Sequence, residues 1–361
     1  MRVLMCDDSA VMRRVIRGIL ESEPGLEVVG VARNGKECVD LACSLEPDLI
    51  TLDIEMPVMD GLTALRQIMS RCPTTVLMIS SLTIEGSRES LRALQMGAAD
   101  VVAKDHANFT ANAGDLSEQI LARVRALADS PRPASMRRAR LAGKDPVASA
   151  TAPPANLRRA AVPAVAGKVK LTVIGASTGG PPVVERVLSG VPPETENAIV
   201  VAQHMPPVFT KSMAGHLNDV LSVPVVHLDP GVSVEPGRIH IAPGGLNTHI
   251  RARAGSRYTV RIDREPACTV YFPSATELFL SAASVAGAEA FGIMLTGMGT
   301  DGEDGVRALV KAGGTVVAQR EDSCVVYGMP KAAVDAGATP LDPDEIRMLL
   351  TRVCSSSAAA A

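Results

Sequence analysis

Ser177 stands in the stretch Val173-Ile174-Gly175-Ala176-Ser177-Thr178-Gly179-Gly180-Pro181-Pro182, a Gly-x-Ser-x-Gly pattern between an apolar run and two prolines. A hydroxyl on so tight a turn projects away from the backbone, where it can attack a carbonyl carbon. Free N–H groups around the turn are placed to hold the oxyanion that the attack creates. Taken alone, the pattern also fits an ordinary strand-to-helix turn or an anion-binding loop. A P-loop needs a Lys after its glycines, and none follows here; the dinucleotide pattern Gly-x-Gly-x-x-Gly is absent. His204, in Gln203-His204-Met205-Pro206-Pro207, and Asp301, in Thr296-Gly297-Met298-Gly299-Thr300-Asp301-Gly302, supply a base and a carboxylate. The three side chains together have the chemistry of acyl transfer. Ser177 attacks, His204 takes and returns the proton, and Asp301 fixes the tautomer and stabilises the imidazolium. Asp304 is the alternative carboxylate, although Asp301 lies nearer the glycine turn. His216, His227, His240 and His249 read more simply as structural or surface histidines. A calcium loop starting at Asp301 fails, because the ligand spacing is wrong and Ala312 occupies the place of the required Glu.

A second set lies in the first third of the chain: Asp7, Asp8, Asp53, Ser80 and Lys104. Three carboxylates crowded at one edge repel one another unless a hard cation is present, so Mg²⁺ is their natural partner. A carboxylate beside Mg²⁺, a hydroxyl and a lysine is equipped to accept a phosphoryl group.

The elements that must position these groups can be read from periodicity. Strand patterns at Arg2–Cys6, Glu27–Val31, Leu49–Leu52, Thr75–Ile79 and Val101–Ala103 alternate with helical patterns such as Val11 to Leu20, Glu37–Leu45, Leu62–Met69, Ser87–Met96 and Leu116–Leu127. Five strands alternating with helices make a doubly wound parallel sheet, whose site lies at the carboxyl ends of the strands. Asp7 and Asp8 then follow strand one, Asp53 strand three, Ser80 strand four and Lys104 strand five. In the last half of the chain, strands at Leu171–Ile174, Asn197–Ala202 and Ala290–Leu295 end at Ser177, His204 and Asp301, with helices at Val183–Leu188 and Val306–Lys311. Gly237–Ala242, Asn247–Arg253 and Arg257–Asp263 alternate like an antiparallel insertion. Between the halves, residues 128–168 are rich in Ala, Pro, Arg and Ser and read as a flexible tether; its cluster Arg137-Arg138-Ala139-Arg140 reads as solvated. The tail 355–361 is expected to be disordered.

Bulk composition bounds the partners. The 361 residues suffice for two domains, and 47% hydrophobic content with 2% aromatics means aliphatic cores. With no Trp and a net charge of -3, stacking on single-stranded nucleic acid is disfavoured. The second domain lacks a basic recognition helix with helix-turn-helix spacing, which argues against a transcription factor. No apolar run approaches 18 residues, so a cytoplasmic protein that is not inserted in a membrane is expected. Seven scattered cysteines without a Cys-x-x-Cys pair read as buried free thiols.

Residues 1–127 resemble the receiver domain of bacterial response regulators, on Asp7-Asp8, Asp53 in Leu-Asp-Ile-Glu-Met-Pro-Val-Met-Asp-Gly, Ser80 and Lys104. The resemblance implies the flavodoxin-like strand order 2-1-3-4-5 and phosphorylation at Asp53. It also implies Mg²⁺ held by Asp8, Asp53 and the backbone carbonyl of Glu55 with Asp7 assisting, a switching hydroxyl at Ser80, and Lys104 pairing with the phosphoryl oxygens. Val101 stands where the family usually has an aromatic, and Asp105 where it usually has Pro. Residues 169–354 are similar to chemotaxis protein-glutamate methylesterases, on Gly175 to Gly180, Gln203-His204-Met205-Pro206, Ile241-Ala242-Pro243-Gly244, Pro273-Ser274 and Thr296 to Gly302. That likeness implies a Rossmann-like catalytic domain without a cofactor of its own, in which Ser177, His204 and Asp301 are catalytic. By carry-over the backbone N–H of Met298 is an oxyanion donor, and elbow geometry adds that of Thr178. The reactions implied are hydrolysis of γ-glutamyl methyl esters on chemoreceptors, releasing methanol, and deamidation of receptor glutamines, in the service of chemotactic adaptation. The chemotaxis histidine kinase would be the phosphodonor, and the protein is expected to be monomeric. The segment Tyr271-Phe272-Pro273-Ser274-Ala275-Thr276 departs from the family's usual wording. Two rival readings are a receiver fused to a silent binding module, and a hydrolase for a different ester or amide.

Overall fold

The computed structural model describes residues 1–81, 83–104, 113–129, 163, 169–253, 257–266 and 269–356. They form two compact units. In the first, a five-stranded parallel sheet has the order β2-β1-β3-β4-β5, from β1 (Arg2–Cys6), β2 (Glu27–Ala32), β3 (Leu49–Asp53), β4 (Thr75–Ser81) and β5 (Asp100–Lys104). The expected order therefore stands. Strands β3 and β4 are covered on both faces by helices, and this burial is why they read as nearly unbroken apolar runs. Each of the first four helices starts on a short polar side chain that accepts a backbone N–H: Ser9, Asn34, Asp60 and Thr83. The chain reverses its direction of winding between β1 and β3, where Cys6 pairs with Leu52. Asp7 and Asp53 thereby meet at the switch point, where a crevice opens.

In the second unit seven parallel strands run in the order β15-β14-β13-β6-β7-β10-β8. The central members are β6 (Leu171–Ala176), β7 (Ala198–Gln203) and β13 (Ala290–Met294), all fully buried. Strands β14 (Thr315–Gln319) and β15 (Thr339–Leu341) extend one side, and β8 (Val225–His227) and β10 (Arg238–Ile241) the other. Winding reverses between β6 and β13, so this sheet too has its switch point at the strand that carries the candidate nucleophile. A small antiparallel sheet, β11-β12-β9, joins β11 (Asn247–Arg253) and β12 (Arg257–Asp263) to β9 (Ser233–Val234).

Three expectations are corrected. The stretch Gly237–Ala242 does not belong to the antiparallel insertion: β10 lies in the main sheet, parallel to β7 and β8. Its apparent alternation came from His240, which is buried with its Nδ1 3.1 Å from the Ile199 carbonyl and its Nε2 accepting from the Glu235 N–H. Two polar partners let a histidine occupy an apolar position. The cysteines are not all free thiols, because Cys43 and Cys72 form a disulfide that ties one helix (Gly35–Leu45) to the end of the next (Gly61–Arg71). Cys6, Cys38, Cys324 and Cys354 are buried and free, as read, while Cys268 lies outside the described residues. The tail begins later than expected, since the last helix, Pro343–Ser356, takes in Ser355 and Ser356. Most of the tether and Asp105 lie outside the described residues. Among those described, no helix is long and apolar enough to cross a membrane.

Candidate active site and phosphoacceptor site

Ser177 follows directly on β6, with its N–H bonded to the Thr296 carbonyl at 3.0 Å. Its own carbonyl accepts from Gly180 N–H and from Gln203 Nε2, each at 2.8 Å. The turn can be this tight only with glycine. Gly179 has φ +73°, and a Cβ there would lie 2.5 Å from Val325 Cγ2, while one on Gly180 would lie 2.3 Å from Gln203 Oε1. Gly180 then opens the helix Gly180–Leu188, with both prolines in its first turn.

His204 is placed by the neighbouring strand. Ala176 pairs with Gln203, and His204 N–H bonds the Ala176 carbonyl at 2.9 Å, so the histidine emerges beside Ser177. Its Nε2 lies 2.8 Å from Asp301 Oδ2. With a carboxylate as acceptor, Nε2 carries the proton and Nδ1 keeps the lone pair. Nδ1 is buried and has no hydrogen-bond partner among the described residues, which leaves its lone pair open to a proton donor.

Asp301 is held from every side. Its Oδ2 accepts from Ala275 N–H at 2.6 Å, and its Oδ1 accepts from Thr276 N–H at 3.0 Å and Ser274 Oγ at 2.9 Å. Those donors form the start of the helix Ala275–Ala286, whose positive end favours an anion. Burial alone would push the carboxyl up; the His204 hydrogen bond and charge, with Thr276, outweigh it and hold Asp301 well below the usual carboxylate range. It therefore stays ionised as the partner of a developing imidazolium. Asp304, the other candidate, is exposed and pairs with Arg307 at 2.8 Å. His216 binds Glu185, His227 meets Thr210, and His249 contacts the Glu265 carbonyl, so these histidines have structural partners.

Beyond the triad candidates, Gly297 sits on the Ser177 backbone and exchanges bonds with Val326, Gly328 and Met329. The next peptide N–H, that of Met298, has no acceptor among the described residues and so fits the expected oxyanion donor. Thr178 is anchored through its carbonyl, which accepts from Thr296 Oγ1 at 3.0 Å. One neighbour was missed in the sequence: the Tyr271 ring stacks on His204, with centroids 4.7 Å apart and planes 5° from parallel. An aromatic in a loop gives no periodic signal. The only cue was its place three residues before Ser274, the cap that holds Asp301.

The observations on this second unit match the comparisons with known proteins. The CheB methylesterase family model matches residues 172–350, and the response regulator receiver domain matches residues 3–110. A protein-glutamate methylesterase/protein-glutamine glutaminase of Oleidesulfovibrio alaskensis is 41% identical over 356 residues, covering 93% of this chain and 94% of that one. The chain belongs to the CheB methylesterase family. A CheB relative of the same description from Anaeromyxobacter dehalogenans is 42% identical, over 96% of this chain and 94% of its own. The crystal structure of the Thermotoga maritima CheB methylesterase catalytic domain is 34% identical, covers 52% of this chain and all of that one, and superposes with a TM-score of 0.49.

At the rim of the receiver sheet, Lys104 Nζ lies 2.7 Å from Asp53 Oδ2 and 3.1 Å from Asp7 Oδ2, all three side chains being buried. Carboxylate oxygens of Asp7, Asp8 and Asp53 lie within 4.8 Å of one another, a spacing and donor set that fit a hard divalent cation. A cavity of about 230 Å³ opens over Asp53 and is lined by Asp8, Ser9, Glu55, Ser81 and Lys104. Burial pushes the Asp53 carboxyl up to about 6 against the pull of Lys104. Ser80 is buried and donates to the Gly86 carbonyl at 3.2 Å. The next hydroxyl, Ser81, lines the cavity and donates to Glu55 Oε1 at 2.8 Å. Val101 is buried in β5.

Proposed function

We propose that this chain is a phosphorylation-activated serine hydrolase that removes methyl esters from glutamyl side chains of chemoreceptors and deamidates receptor glutamines. The observation that carries this reading is the His204–Asp301 pair at 2.8 Å beside the Ser177 turn. Ser177 Oγ attacks the ester carbonyl while His204 Nδ1 takes its proton. The Met298 N–H holds the tetrahedral oxyanion, with Thr178 N–H as the second donor. Collapse breaks the acyl–oxygen bond, and His204 returns the proton to the departing methoxide, which leaves as methanol. Water then attacks the glutamyl-serine ester by the same steps in reverse, freeing glutamate and Ser177. A glutamine amide follows the identical route with ammonia as leaving group.

In the receiver, Asp53 is the phosphoryl acceptor, the chemotaxis kinase its donor, and Lys104 the cation that pairs with the phosphoryl oxygens. Asp8, Asp53 and the Glu55 carbonyl would hold Mg²⁺, with Asp7 assisting. Bound there, the ion offsets the negative charge gathered around the transferred group. Ser80 would turn toward the phosphoryl oxygens once they are present.

Methanol release from methylated chemoreceptor, with and without a small-molecule phosphodonor, tests both halves. Ser177→Ala should lower the rate by roughly 10⁴- to 10⁶-fold, and the phosphodonor should raise the wild-type rate. A wild type that is inert in both conditions would sink the reading.

A further inference from the structure

We infer that Tyr271 is a positioning residue of the acyl-transfer site, holding the His204 ring in plane and favouring its cationic state; this rests on the hydrolase reading above. The ring of His204 has one hydrogen bond among the described residues, Nε2 to Asp301, because its buried Nδ1 must stay open for the serine proton. One bond leaves the imidazole free to rock about the axis through Nε2. The Tyr271 ring removes that freedom, covering one face at 4.7 Å with planes 5° apart. Gly299, at φ +78°, leaves room for the phenol, whose oxygen would lie 3.2 Å from any Cβ there. Three residues further on, Ser274 caps the helix that grips Asp301. One loop thus carries both the plate against the imidazole face and the hydroxyl bonded to its carboxylate partner.

Stacking also has an electrostatic consequence. The face of a phenol carries partial negative charge, which attracts an imidazolium more than a neutral imidazole. In the proposed reaction His204 becomes cationic on proton uptake from Ser177 and loses that charge on proton return to the leaving group. The attraction is therefore strongest near the transition states and raises kcat rather than affinity. Asp301 is the carboxylate bonded to this imidazole, and it also acts on Glu277, which His249 and Arg261 flank.

Tyr271→Leu keeps apolar bulk but removes the ring; Tyr271→Phe keeps the ring and removes the hydroxyl. Both full-length variants would be compared with wild type in steady-state methanol release and in the burst of nitrophenolate from p-nitrophenyl acetate, which reads acylation of Ser177 without any receptor. Tyr271→Leu should lower kcat and the burst rate by about 3- to 30-fold with KM unchanged, and Tyr271→Phe should restore both. A raised KM with unchanged kcat would make Tyr271 a substrate contact and overturn the inference. So would a Phe variant as slow as the Leu variant, since the hydroxyl would then carry the effect. A wild-type burst without methanol release refutes the receptor reading alone, and the burst ratio still decides the role of Tyr271. If wild type shows neither, Ser177 is not a nucleophile and the inference falls with it.

Discussion

At the scale of single residues, the two sites handle buried carboxylates in opposite ways. Asp301 receives four hydrogen bonds and is kept ionised, whereas Asp53 has Lys104 and one backbone N–H against a larger burial cost. The folded receiver therefore binds a proton at Asp53 more tightly than the unfolded chain, whose carboxyl has a pKa of about 3.9. Ionised Asp53 costs stability: the cost is absent below about pH 4 and complete above about pH 6. Asp53→Asn should raise receiver stability at neutral pH by about 1–3 kcal/mol in metal-free buffer, with the gain fading as pH falls from about 6 to about 4. Calorimetry at both ends of that range, with chelator present, checks it; an equal gain at both would contradict the assignment. A site that stores such a cost is relieved when a divalent cation offsets the carboxylate charge.

At the scale of elements, much of the architecture was legible. In the first unit Val3 to Cys6 and Leu49 to Leu52 could be read because buried parallel strands are unbroken apolar runs between turn residues. Ser177, His204 and Asp301 could be read because each follows such a run. What escaped depends on tertiary partners. His240 broke an apolar strand pattern yet is buried by two backbone bonds, and Tyr271 acts across space from a loop. The Cys43–Cys72 link joins positions 29 apart, and neither spacing nor motif marks that pair among seven cysteines. Closing a loop of that length should stabilise the receiver by about 3.6 kcal/mol. A thermal scan with and without dithiothreitol, repeated on Cys43→Ser, measures the difference. Insensitivity of the wild type to reductant, with a variant that melts at the same temperature, would show that the bond contributes nothing.

At the scale of the whole molecule, two switch-point crevices on two sheets are joined in one chain, one proposed to take a phosphoryl group and one proposed to carry out acyl transfer. The regulation proposed requires that the receiver restrain the hydrolase until Asp53 is modified. Driving such an equilibrium from about 1:99 to 99:1 takes roughly 5.5 kcal/mol, and smaller differences give graded control. Deleting residues 1–168 should raise the basal rate of methanol release and remove the response to a phosphodonor. A truncated enzyme no faster than the unphosphorylated full chain would rule out restraint by the receiver.

The order of strands in the second sheet has a consequence for how the protein is made. Asp301 is 97 residues from His204, and β13 must pair with β6 before the two can meet. During synthesis the receiver, complete in sequence by Lys104 and its last helix, can fold while the hydrolase is still emerging. At about 5–20 residues per second, the ribosome gives the control unit a head start of roughly 10 to 45 seconds over the unit it is proposed to control. Catalytic power thus arrives last, on a chain whose regulator is already folded.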